Sequence, residues 1–137
     1  MSWSQTVAEV ADRAAGRCEY CRMHQSLQGA TFHVEHVVPS VQGGESALPN
    51  LAWACPGCNL RKSDRTQATD PDTGETVPLF HPREHTWSDH FAWDVFRVIG
   101  LSATGRATIA ALQFNHERRL RIRQSEQLFG LFPPTDH

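Results

Sequence analysis

The chain has 137 residues, which fits one ordinary domain and leaves no room for a second full one. With 39% apolar and 20% charged residues and a mean hydropathy of -0.45, its composition is that of a soluble globular protein, and no apolar run is long enough to span a bilayer. The net charge is -2 and the pI about 6.4, so the whole molecule carries no basic footprint and any contact with nucleic acid must be local.

The N-terminal stretch has neither a basic leader nor an apolar h-region, which sets the expectation of a cytoplasmic protein. Residues 4–17 place Val7, Val10, Ala11 and Ala14 at helical spacing and end at Gly16, predicting a short amphipathic helix that delivers the chain to Cys18. TFHVEHVVP, residues 31–39, is rich in β-branched and aromatic residues and reads as a strand ending at Pro39. A polar loop with Gly43 and Gly44 follows, then a second short strand over 50–55. Pro56 suits a first helical position, so 56–68 reads as a helix.

Past residue 68, Asp-Pro and Thr-Gly pairs predict a turn and a short extended piece. Residues 87–105 read as two strands joined by a turn, with Trp87, Phe91, Trp93 and Phe96 as core. From Arg106 a run of strong helix formers, broken only by Gly130 and the Pro133-Pro134 pair, predicts one helix, the longest in the chain. Charge divides along this stretch. Residues 69–94 hold six acids against Arg83, whereas 106–123 hold five arginines against Glu117. Lys62 is the only lysine among thirteen cationic residues.

All four cysteines fall in two CxxC pairs, Cys18/Cys21 and Cys55/Cys58, separated by 33 residues. Two such knuckles complete the tetrahedral four-sulfur shell that zinc prefers in closed structural sites. Disulfides are disfavoured in a reducing compartment, and a thioredoxin-like redox pair needs only one CxxC in a βαβ setting. Zinc is therefore favoured, over iron as well, and four sulfurs leave no open position for chemistry.

Between and beside the knuckles lie His33, Glu35, His36, Asn50 and Asn59. A carboxylate and an amide oxygen are hard ligands suited to Mg²⁺ or a similar ion, and an imidazole can take a proton from water near neutral pH. The set is a hydrolytic toolkit. His81, His85 and His90, by contrast, are irregularly spaced among aromatics and read as packing and turn residues rather than a second metal site.

RCEYC, HVEHVVPSVQGG and PNLAWACPGCNLRK, in that order over residues 17–65, resemble the HNH nuclease family in its variant with Asn at the last motif position, here Asn59. The resemblance implies an α+β protein with a ββα-metal core over residues 1–68, stapled by the zinc site. A C-terminal extension over 69–137, similar to one seen in many bacterial HNH proteins, would pack on that core. It implies that Glu35 and Asn59 bind Mg²⁺ or Mn²⁺, that His36 is the general base, and that Asn50 holds the His36 ring through its amide or backbone carbonyl. It further implies an endonuclease that nicks DNA, with RNA not excluded as substrate, leaving 5′-phosphate and 3′-hydroxyl ends. Arg61 and Lys62 would face phosphate, and Arg118, Arg119, Arg121 and Arg123 are candidates for contacts to the DNA backbone. The rival is a zinc-stabilised nucleic-acid-binding module without catalysis. One geometric conflict stands: strand alternation sends Glu35 and His36 to opposite faces, so a bend or bulge is expected before both can reach one phosphate.

Overall fold

The computed structural model describes residues 1–135. Helix α1, Trp3–Arg13, opens on a reciprocal cap: Ser2 Oγ accepts the Gln5 N–H and Gln5 Oε1 accepts the Ser2 N–H at 2.8 Å. Its Val10, with Ala14 just beyond the helix, is buried, and the chain leaves through Ala15 and Gly16, both at positive φ. The first cysteine knuckle follows at once, closed by Cys18 N–H donating to Met23 O and Arg22 N–H to Cys18 O, each at 2.9 Å.

Strands β1, His33–His36, and β2, Leu51–Ala54, form an antiparallel pair in which Glu35 faces Ala52 and His36 faces Leu51. All four β2 residues are buried. Glu19 ties the first knuckle to this pair: its N–H donates to Trp53 O at 2.8 Å and its Oε1 accepts the Trp53 N–H at 2.9 Å. Helix α2, Pro56–Lys62, starts from Cys55 as its cap and holds Cys58 one turn on. The result is an α+β protein with a ββα unit at its centre.

The C-terminal part adds two hairpins and two helices. β3, Gln67–Thr69, pairs with β4, Thr76–Pro78, around a turn organised by Asp70. A helical turn α3, Trp87–His90, leads into β5, Phe91–Asp94, paired with β6, Arg97–Gly100. Helices α4, Ala103–Leu112, and α5, Glu117–Leu128, complete the chain. One apolar core runs from Val10 through Tyr20, Trp53, Phe80 and Phe91 to Phe114. Trp87, 2% exposed, reaches back across it to donate its indole N–H to Tyr20 O at 2.8 Å. Burying an aromatic side chain of this size contributes about 2–3 kcal/mol, so the extension is held to the knuckle by the same contacts that fill the core.

The elements depart from the sequence reading in several places. β1 is four residues rather than nine, because the chain leaves the ladder after His36 into a loop clamped by Asn50. α2 stops at Lys62, where Ser63 adopts φ +50. The single long helix expected from Arg106 is two helices. Gln113 turns left-handed at φ +53, Leu112 and Phe114 are fully buried, and the Asn115 amide pairs with the Val98 backbone at 2.7 and 2.8 Å. Helix propensity runs through this corner; the burial of Phe114 and the Asn115 clamp override it. The two strands expected over 87–105 are present as the shorter β5 and β6, with Trp87–His90 ahead of them a helical turn and Ala103–Gly105 the start of α4.

Candidate active site

The four cysteine sulfurs all lie within 4.8 Å of one another, with Cys21 and Cys55 at 3.8 Å, and none of the four residues is more than 2% exposed. An ion making four bonds of about 2.3 Å in a tetrahedron sets its sulfurs about 3.8 Å apart, whereas a disulfide requires about 2.0 Å. The donor set therefore fits a closed four-thiolate metal site.

This cluster explains one of the arginines, and the core beside it a second. Arg119, on α5, is 6% exposed and donates from Nη1 to Cys58 Sγ at 3.2 Å. Burial disfavours its charge, but the Cys58, Cys21 and Cys55 sulfurs outweigh that and hold the guanidinium above its ordinary pKa. Arg123 is fully buried; it donates to Phe96 O and Phe114 O at 2.9 and 2.8 Å and lies over the Trp93 ring. Arg123 presents no charge to the outside and Arg119 only its edge, at the floor of a hollow, so neither belongs to a row of exposed backbone contacts. Only Arg118 and Arg121 of that group are exposed, and Arg121 is paired with Glu117 at 2.6 Å. Alternate residues of an α-helix do not share a face, so four arginines at 118, 119, 121 and 123 cannot all meet one ligand.

Across α2, a cleft of about 420 Å³ is bordered by Glu35, His36, Ser40, Asn59, Ser63 and Asp64. β1 turns Glu35 inward, 5% exposed, where Tyr20 Oη donates to Oε2 and the Lys62 ammonium meets Oε1, both at 2.6 Å. Lys62 is the correction to the expected phosphate contact: it is 1% exposed, and its ammonium also donates to Val37 O at 2.8 Å. Asn59 and Lys62 stand three residues apart on the same side of α2, so both address β1. Burial pushes the Glu35 carboxyl above its ordinary pKa, against the pull of Lys62, Tyr20 and His36. The Asn59 amide has no hydrogen-bonding partner among the described residues.

His36 Nε2 lies 2.8 Å from Ser46 Oγ. Asn50 makes no hydrogen bond to the ring. Its Oδ1 accepts the Val38 N–H, its Nδ2 donates to Val38 O and Glu45 O, and its backbone carbonyl accepts the Val37 N–H, all at 2.8–2.9 Å. Asn50 thus ties both ends of the loop that carries Ser46 to His36. Gly44 is the one residue able to close that loop, because a Cβ there would sit 1.7 Å from Val38 O. No bulge interrupts β1: pairing continues one for one to His36. Glu35 and His36 leave on opposite faces and still border one cleft, because the cleft opens where the strand ends.

Sequence reasoning missed Tyr20, Ser46 and Asp64. Tyr20 carried a signal, since it sits inside the first CxxC pair; Ser46 and Asp64 carried none.

A divalent ion suits this donor set. Each Glu35 oxygen keeps a lone pair beyond its present bond, the Asn59 carbonyl oxygen is uncommitted, and Mg²⁺ needs only one or two protein oxygens beside its waters. Among the described residues no helix is long and apolar enough to cross a membrane. Residues 18–65 match the family model for the HNH endonuclease. No curated protein and no solved structure matches the chain.

Proposed function

We propose that this HNH segment is the working part of a metal-dependent endonuclease that hydrolyses phosphodiester bonds, with DNA as substrate and zinc in the four-cysteine site. The observation that carries the reading is the convergence of Glu35, His36 and Asn59 on one cleft. The zinc site clamps the knuckles that carry both walls of that cleft, leaving chemistry to the other residues.

In the tautomer that donates Nε2–H to Ser46 Oγ, 2.8 Å away, His36 keeps Nδ1 to take a proton from water as the oxygen attacks phosphorus. Glu35 and Asn59 would hold a Mg²⁺ or Mn²⁺, which would supply positive charge to the phosphoryl group as it reacts. Lys62 and Tyr20 fix the Glu35 carboxylate from behind, and Asn50 fixes the loop that orients His36. The 3′-oxygen leaves and is protonated from solvent, giving 5′-phosphate and 3′-hydroxyl ends. With one general base per chain, one strand is cut at a time.

Supercoiled plasmid incubated with Mg²⁺ or Mn²⁺ tests the reading. The parent chain nicks it, and His36→Ala lowers the rate by about 10²-fold or more while zinc content and folding stay unchanged. Absence of nicking by the parent under either metal would leave a zinc-stabilised binding module in its place.

A further inference from the structure

Gly57 and Arg61 point to the side of α2 away from Asn59 and Lys62. There they border a second hollow, of about 220 Å³, together with Pro56 and with His116, Arg118 and Arg119 from the start of α5. The cations come from two different elements. No acidic residue lines the hollow, and no carboxylate pairs with Arg61, Arg118 or Arg119 among the described residues.

Arg119 supplies the second observation. Its Nη1 is engaged by Cys58, but its Nη2 is buried without a hydrogen-bonding partner among the described residues. That nitrogen lies beside Gly57: a Cβ added there would stand 2.7 Å from Arg119 Nη2 and 3.5 Å from Arg61 Nη1. Two guanidiniums thus gather over the one α2 position that has no side chain. A buried N–H without an acceptor is unfavourable, and an anion held in the hollow by Arg61, Arg118 and His116 relieves it once a small side-chain shift opens Nη2 to it.

From this geometry we infer that the hollow is a phosphate-binding site, taking a backbone phosphate of a nucleic-acid strand that crosses α2, at a distance from the phosphate being cut. The inference rests on the nuclease reading for the strand's identity. The ligand is a phosphodiester monoanion held by guanidinium forks, which places the strand across the cleft without reading its bases. Because α2 is only about 10 Å long, the hollow and the cleft are close enough for one strand to occupy both.

The test is fluorescence anisotropy of a labelled DNA duplex with the zinc-loaded chain, without added Mg²⁺ or Mn²⁺, over a range of NaCl concentrations. Arg61→Gln combined with Arg118→Gln is expected to weaken binding about tenfold and to flatten the slope of log affinity against log salt by about one. Gly57→Ala, whose Cβ presses on Arg119 Nη2 without changing charge, weakens binding as well. Arg97→Gln, an exposed arginine on the β5–β6 hairpin, removes the same charge as either single change and leaves affinity and slope as they were. Parental affinity and slope in the double variant, or an equal loss in Arg97→Gln, overturn the site. Binding with these responses but no plasmid nicking retains the hollow and removes the nuclease; nicking with an unaltered salt slope does the reverse.

Discussion

The sulfur cluster and the cleft share α2 as a wall, yet they are built on opposite principles. The cluster draws four identical donors from two local motifs, buries them completely and leaves no open position. The cleft draws unlike residues from β1, α2 and the loop between the strands, and leaves His36 and Asn59 half-exposed. One region is closed and buried; the other opens to solvent. Their contact lies at Lys62 and Tyr20, which sit behind the carboxylate of the open region and belong to the interior set by the closed one.

The comparison breaks most visibly if the closed region is damaged. Cys58→Ser, or removal of the metal by a strong chelator, is expected to cost most of the stability, because structural zinc binding in small modules is worth about 10–16 kcal/mol. Far-UV circular dichroism should report a collapse of the whole chain, α5 included, since Arg119 ties that helix to the cluster. Survival of native ellipticity after zinc loss would separate the cluster from the fold. Lys62→Met tests the shared wall. It strands a buried carboxylate with only the Tyr20 hydroxyl, and a loss of about 3–5 kcal/mol in urea unfolding is expected, since breaking one side of a buried ion pair leaves an uncompensated charge. A surface lysine would cost next to nothing.

Gly44→Ala acts on the open region alone. The clash with Val38 O forces the Asn50 clamp apart, with an expected loss of about 1–3 kcal/mol and a larger proportional loss of nicking, as Ser46 leaves His36. The smallest effect lies outside both regions, at Asp70. Its carboxylate accepts two bonds from Arg106, at 3.0 and 2.8 Å, which hold its pKa below the ordinary carboxylate range. A depressed folded-state pKa contributes stability above the unfolded value of about 3.9, and that contribution fades as the pH falls below it. Urea midpoints measured from pH 6 to pH 3 should therefore fall more steeply for the parent than for Asp70→Asn.

How far the molecule could be read in advance follows the same division. The CxxC pairs were legible because each knuckle needs only local spacing, and the ββα unit because β-branched runs, a Gly-Gly loop and Pro56 mark its joints. Lys62 was misplaced since a helix of seven residues gives no periodicity from which to tell its inner face. Arg119 and Arg123 read as surface charge because burial of an arginine depends on partners far away in sequence: a cysteine sulfur for one, the Phe96 and Phe114 carbonyls for the other. The corner at Gln113 escaped for a related reason, since its cause is the Asn115 amide bonded to β6. The role of Asn50 was displaced by one step, from the His36 ring to the loop that positions Ser46.

Counting bound Mn²⁺ by electron paramagnetic resonance, in the zinc-loaded chain and in Asn59→Ala, addresses the open region most directly. The parent should hold one Mn²⁺ beyond its zinc, and the variant should lose it or bind it at least about tenfold more weakly, with zinc content and unfolding midpoint unchanged. Equal Mn²⁺ stoichiometry and affinity in the two proteins would contradict the assignment of Glu35, His36 and Asn59 to a single metal-assisted site.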